Sequence, residues 1–138
     1  EQFYTKRTEN VSVQNGTLII KAIKEAYSGS DYTSSKILTK GLKEQAYGRF
    51  EARIQLPTGQ GMWPAFWLLG ANCGDGTADT EVWPNCGEID IMEYRGQDPT
   101  VVHGSVHGPG YAAGNAITKT YALENDRFDT GFHVFGIE

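Results

Sequence analysis

The feature that most constrains this chain is a two-residue rhythm of apolar and polar side chains, broken every few residues by Gly, Pro, Asn or Asp. V-S-V-Q and T-L-I-I flank Asn15-Gly16. Asn-Gly between alternating segments is a strong hairpin signal, because both central residues of a type I′ turn need positive φ. The rhythm continues through S-S-K-I-L-T-K (34–40), Y-G-R-F-E-A-R-I-Q-L (47–56), M-W-P-A-F-W-L-L (62–69), G-E-I-D-I-M-E-Y (87–94) and T-V-V-H-G-S-V-H (100–107). No segment carries the three-to-four-residue apolar spacing of a long amphipathic helix. Short strands punctuated by turn residues predict an all-β, antiparallel sandwich or barrel. F-H-V-F-G-I-E, at 132–138, alternates as well. A sandwich must bury the inner faces of two full sheets, and these strands are few for that, so residues 1–138 are expected to form part of a domain.

Charge narrows the partners. Twelve basic against seventeen acidic residues give a net charge of −5, which disfavours nucleic acid and anionic membranes and favours a neutral or cationic ligand. No apolar run approaches the ~20 residues of a membrane-spanning helix. Cys73 and Cys86 stand thirteen apart without the Cys/His companions of a zinc site. A disulfide is expected, which favours an extracellular setting; two unrelated thiols are the alternative.

Glu88, Asp90 and Glu93 pose a problem of parity. On a strand, residues 88 and 90 share a face while 93 turns to the other. A helix does no better, since five residues rotate by ~500° and leave the two glutamates about 140° apart. A β-bulge near Ile91 and Met92 resets the alternation and puts all three acids on one face, with Ile89 and Ile91 pointing inward. Three like charges side by side cost folding stability, which suggests a function. A retaining glycosidase needs two carboxyl groups about 5 to 5.5 Å apart. Four effective strand positions span ~13 Å between α-carbons, so the side-chain tips must converge. Asp90, between them, would hold a proton or hydrogen bond and push their pKa values apart. The same acids also suit a hard cation or a solvated strand face.

The neighbouring segments add aromatic and basic groups. Trp63, Ala65 and Trp67 share one face of their segment, opposite Phe66 and Leu68, and Trp83 lies just ahead of the acids. Such indoles either stack on sugar rings or fill the core. Arg49, Glu51 and Arg53 share a face opposite Phe50, Ala52 and Ile54; that face meets solvent or a cleft. His103, Ser105 and His107 align on one side of a later segment, where a histidine can hydrogen-bond a carboxylate or a sugar hydroxyl, bind a metal or serve structure alone.

G-E-I-D-I-M-E-Y-R-G, with W-P upstream, G-R-F-E-A-R-I before it and V-H-G-S-V-H-G-P-G-Y after it, resembles the laminarinase branch of glycoside hydrolase family 16, across nearly the whole chain. The catalytic motif there is Glu-x-Asp-x-x-Glu; the related lichenase branch lacks the inserted residue, so Met92 aligns this chain with the bulged group. The resemblance implies a β-jelly-roll sandwich with a concave cleft. It implies Glu88 as nucleophile, Asp90 as assisting acid and Glu93 as general acid/base. It puts Arg53, Trp63, Trp67, Trp83 and His107 at donor-side sugar subsites, with Glu51 and His103 as further candidates. The implied activity is endo-hydrolysis of β-1,3-glucan with retention, mixed-linkage glucan being a further possible substrate. A non-catalytic β-glucan recognition module and a transglycosylase are the alternatives. Catalysis needs no cofactor. A structural calcium on the convex side is implied, with the Gly48 backbone as one ligand and an Asp beyond residue 138 as another. A secreted protein, monomeric once the domain is complete, is expected.

Overall fold

The computed structural model describes residues 2–77 and 79–138. These form two compact units, 1–43 and 44–138. Among the described residues no helix is long and apolar enough to cross a membrane.

The first unit contains β1 (Phe3–Tyr4), β2 (Val11–Gln14), β3 (Thr17–Ile20), β4 (Ile23–Tyr27) and β5 (Ser30–Ser34). β2 and β3 pair through Asn15 and Gly16, at φ 50° and 74°, the hairpin that the Asn-Gly signal predicts. A second tight turn, Ser28-Gly29 at φ 47° and 83°, joins β4 to β5, and this hairpin was not among the segments expected above. β1 pairs with β5 in parallel, a local departure from the antiparallel expectation. The strand expected over 34–40 is also corrected. β5 ends at Ser34, and the backbone then turns so that the Leu42 and Lys43 N–H groups both donate to the Thr39 carbonyl. Ile37 and Leu38 are exposed, so their apolarity reflects no burial in a sheet of this unit. Asn10 and Thr33 are fully buried and satisfy each other, with Asn10 Nδ2 donating to Thr33 Oγ1 at 3.0 Å and to the Lys21 carbonyl at 3.1 Å. Arg7 joins them through an ion pair with Glu25.

The second unit carries β6 (Phe50–Gln55), β7 (Ala65–Leu69), β8 (Glu88–Tyr94), β9 (Val101–His107), a short 3-10 turn (Ala113–Asn115), β10 (Ile117–Ala122) and β11 (Phe132–Ile137). A four-stranded sheet runs in the order β7-β8-β9-β10, and β6 pairs with β11, all antiparallel. The apolar residues of these strands meet in one core of Leu56, Met92, Tyr94, Val102, Phe128 and Phe135, with Ile54, Phe66, Ile91 and Leu123 packed against it. β8 is thus anchored by its inward side chains to β11 and the 123–129 segment. Tyr94 is fully buried, and its hydroxyl donates to Asp129 at 3.3 Å. Arg127 clamps the same carboxylate with two hydrogen bonds of 2.8 and 2.7 Å, holding it below the usual carboxylate range. A rigid inner face fixes where the outer face of β8 points.

Candidate active site

The register of β8 resolves the parity of its acids. Against β7, Glu93 faces Ala65, Met92 faces Phe66, Asp90 faces Trp67 and Glu88 faces Leu69. Ile91 has no partner there and is the extra residue of a bulge. Against β9 the acids meet the polar row one for one: Glu88 opposite His107, Asp90 opposite Ser105, Glu93 opposite His103, with the irregularity between Asp90 and Glu93. The bulge therefore lies where the parity argument put it, and all three acids line one cavity of about 620 Å³. The inward positions are partly redistributed. Met92 and Tyr94 are the buried residues, while Ile91 only packs against the core's edge, because alternation restarts after the extra residue.

Each acid has its own partner. The Trp83 indole N–H donates to Glu88 Oε2 at 2.6 Å, and the Trp63 indole N–H donates to Glu93 Oε1 at 3.1 Å. Both indoles are exposed, at 40% and 70%, and neither belongs to the core of this unit. Trp67 is partly buried beside Asp90 in the β7–β8 register. Asp90 is 5% exposed, and its Oδ2 lies 2.9 Å from His107 Nε2. On the far side of that ring, Nδ1 accepts the Ala113 backbone N–H at 3.1 Å. The Trp83 ring packs 5.7 Å from the imidazole.

The electrostatics separate Asp90 from an ordinary aspartate. Burial first, then its hydrogen bond to Glu88 and the charges of Glu88 and Glu93, push its carboxyl up to about 6, against the opposing pull of the His107 hydrogen bond. A group protonated near pH 6 between two carboxylates can carry a proton that its neighbours use.

The structure does not bring every expected residue to this cavity. Arg53 and Glu51 lie on β6, whose partner is β11. Arg53 stacks 4.3 Å over the Phe132 ring and Glu51 pairs with Arg49, so neither is among the lining side chains. His103 does line it, beside Arg95, whose Nη2 is 3.3 Å from His103 Nε2. Arg95 was missed; it stands just past the end of β8, two residues after Glu93. Ala113 was missed as well: it contributes a backbone N–H, which no residue pattern announces.

Cys73 and Cys86 form a disulfide with α-carbons 5.0 Å apart, closing the loop that carries Trp83. Glu88, Asp90 and His107 present ligand atoms within 4.8 Å of one another. In this structure His107 has Nδ1 turned to Ala113 and Nε2 engaged with Asp90. Among the described residues this is the one such group of three, and Gly48, named above for calcium, is not part of it.

An antiparallel all-β unit that presents two glutamates and an aspartate between them in one cavity, with an indole N–H on each glutamate, is of the glycoside hydrolase type. The chain belongs to family 16 of the glycosyl hydrolases, whose family model matches residues 1–138. It is 44% identical over 138 residues to a beta-glucanase of Rhodothermus marinus, covering 99% of this chain and 47% of that protein. Among solved structures it resembles the laminarinase catalytic domain of Thermotoga maritima MSB8, at 47% identity and a TM-score of 0.88 over 98% of this chain and 53% of that one. It matches the Rhodothermus marinus laminarinase at 43% identity and a TM-score of 0.88, over 99% and 54%. The fold is accordingly of the jelly-roll sandwich class and the chain is of the laminarinase branch. It spans about half the length of these relatives.

Proposed function

We propose that the protein is an endo-acting hydrolase of β-1,3-glucan that retains the anomeric configuration, and that residues 1–138 make up part of its catalytic domain. The observation that carries this reading is the bulge at Ile91, which puts Glu88, Asp90 and Glu93 on one face of one cavity, with an indole N–H on each glutamate. Glu88 attacks the anomeric carbon while Glu93 gives its proton to the departing glycosidic oxygen, leaving a glycosyl-enzyme ester. Glu93 then takes a proton from the water that attacks the same carbon, and the bond to Glu88 breaks. The Trp83 and Trp63 N–H groups hold the two carboxyl groups in place for these steps. Asp90 is kept protonated at higher pH first by burial and then by the hydrogen bond and charge of Glu88; esterification of Glu88 removes that charge and weakens that acceptor, so Asp90 holds its proton less tightly in the covalent intermediate. The chemistry rests on carboxyl groups and needs no cofactor. A neutral polysaccharide suits a chain of charge −5, and the disulfide supports action in an oxidising, extracellular setting.

Incubation with laminarin should release reducing ends. Glu88→Gly with azide should give an inverted α-glycosyl azide, and Glu93→Ala with azide the β-azide, because only the nucleophile forms a covalent bond. The opposite pairing overturns the assignment of roles. Products longer than the substrate would identify a transglycosylase, and binding without cleavage a recognition module.

A further inference from the structure

We infer that the A-A-G-N turn at 112–115 is a positioning device for the acid row: the Ala113 backbone N–H fixes His107 in its Nε2–H form, and His107 in turn aims the carboxyl group of Asp90. This rests on the role proposed for Asp90 above. An imidazole nitrogen that accepts a hydrogen bond must carry its lone pair there, so the 3.1 Å bond from Ala113 leaves Nδ1 unprotonated and puts the ring proton on Nε2. Nε2, 2.9 Å from Asp90 Oδ2, is then the donor. With the proton on Nδ1, two N–H groups would oppose each other on one side of the ring and a lone pair would oppose a carboxylate oxygen on the other. Both bonds would be lost together.

The turn is built to hold that N–H in place. Ala113 sits at φ 49°, a left-handed conformation that an alanine adopts reluctantly, while the neighbouring Gly114 does not take positive φ. Gly108 and Tyr111 exchange two backbone hydrogen bonds of 2.9 and 3.0 Å just ahead of it, and the Asn115 and Ala116 N–H groups close the turn onto the carbonyls of Ala112 and Ala113. With one Asp90 oxygen accepting from His107, the carboxyl plane is set and the other oxygen is left to share a proton with Glu88.

The test replaces the 112–113 peptide bond by an ester, with lactic acid in place of Ala113, which removes this N–H and keeps the methyl group. The readouts are the ring ¹⁵N signals of His107, assigned by their loss in His107→Gln, and kcat and KM on laminarin. The unmodified protein should show one Nε2–H form. The ester should show both forms, with kcat lowered about fivefold, the weight of one hydrogen bond, and KM unchanged. In a His107→Gln background, whose amide can still donate to Asp90, the ester should cost nothing further. An Nδ1–H form of His107 in the unmodified protein overturns the inference, as does an ester that leaves the tautomer unchanged. A protein that shows the expected tautomer change but does not cleave laminarin upholds the positioning device and refutes the hydrolase reading.

Discussion

Asp90→Asn tests the electrostatics of the acid row most directly. In the folded protein, burial and the neighbouring Glu88 and Glu93 push the Asp90 carboxyl from the ordinary 3.8 to about 6. The native state therefore binds this proton more tightly than the unfolded chain does. The stability contributed by the group is whole below pH ~4 and is lost as the pH rises through about 6. At about 1.4 kcal/mol per pH unit, the loss is about 3 kcal/mol. Asparagine reproduces the protonated acid: its carbonyl accepts from His107 and its amide donates to Glu88, but it carries no charge to desolvate. The variant should therefore be more stable than the parent at pH 8, by about 1 to 3 kcal/mol, and equal to it near pH 3.5 to 4. Urea unfolding at a series of pH values, with m unchanged, measures this, and activity on glucan should fall in parallel. A stability difference that stays constant across the series, or an asparagine variant less stable at pH 8, would refute the reasoning.

Two further outcomes follow from the partners of the glutamates. Reducing Cys73–Cys86 reopens a loop with a sequence separation of 13, worth about 3 kcal/mol. Tm should fall by roughly 5 to 10 °C, and two thiols titrating in the untreated folded protein would contradict the bridge. Trp63→Phe keeps a ring but deletes the N–H on Glu93, so kcat/KM on laminarin should drop roughly five- to tenfold, the effect of about 1 to 1.4 kcal/mol. An aryl glycoside with a good leaving group should be spared, because its departure needs little protonation. Equal losses on both substrates would sink the link between Trp63 and proton donation.

The site was legible in the sequence wherever the chemistry is local. Alternation marked most strands, Asn15-Gly16 marked a hairpin, and the odd spacing of Glu88, Asp90 and Glu93 demanded a bulge whichever strands lay on either side, because side-chain direction along a strand depends on parity alone. The 34–40 segment misled because alternation reports the capacity to pair, whereas pairing needs a neighbouring strand, and β5 ends at Ser34. For Arg53 only the face was readable: strand order put β11 beside β6 and the Phe132 ring under the guanidinium. Tertiary structure also decided which indole serves which glutamate, how far Asp90 is desolvated, and which His107 nitrogen carries the proton. Each of these depends on groups brought together from separate strands and turns, among them a backbone N–H at Ala113. Local sequence pattern sets the face on which a side chain emerges; only the packing of distant segments sets what that side chain meets and how much water is left around it.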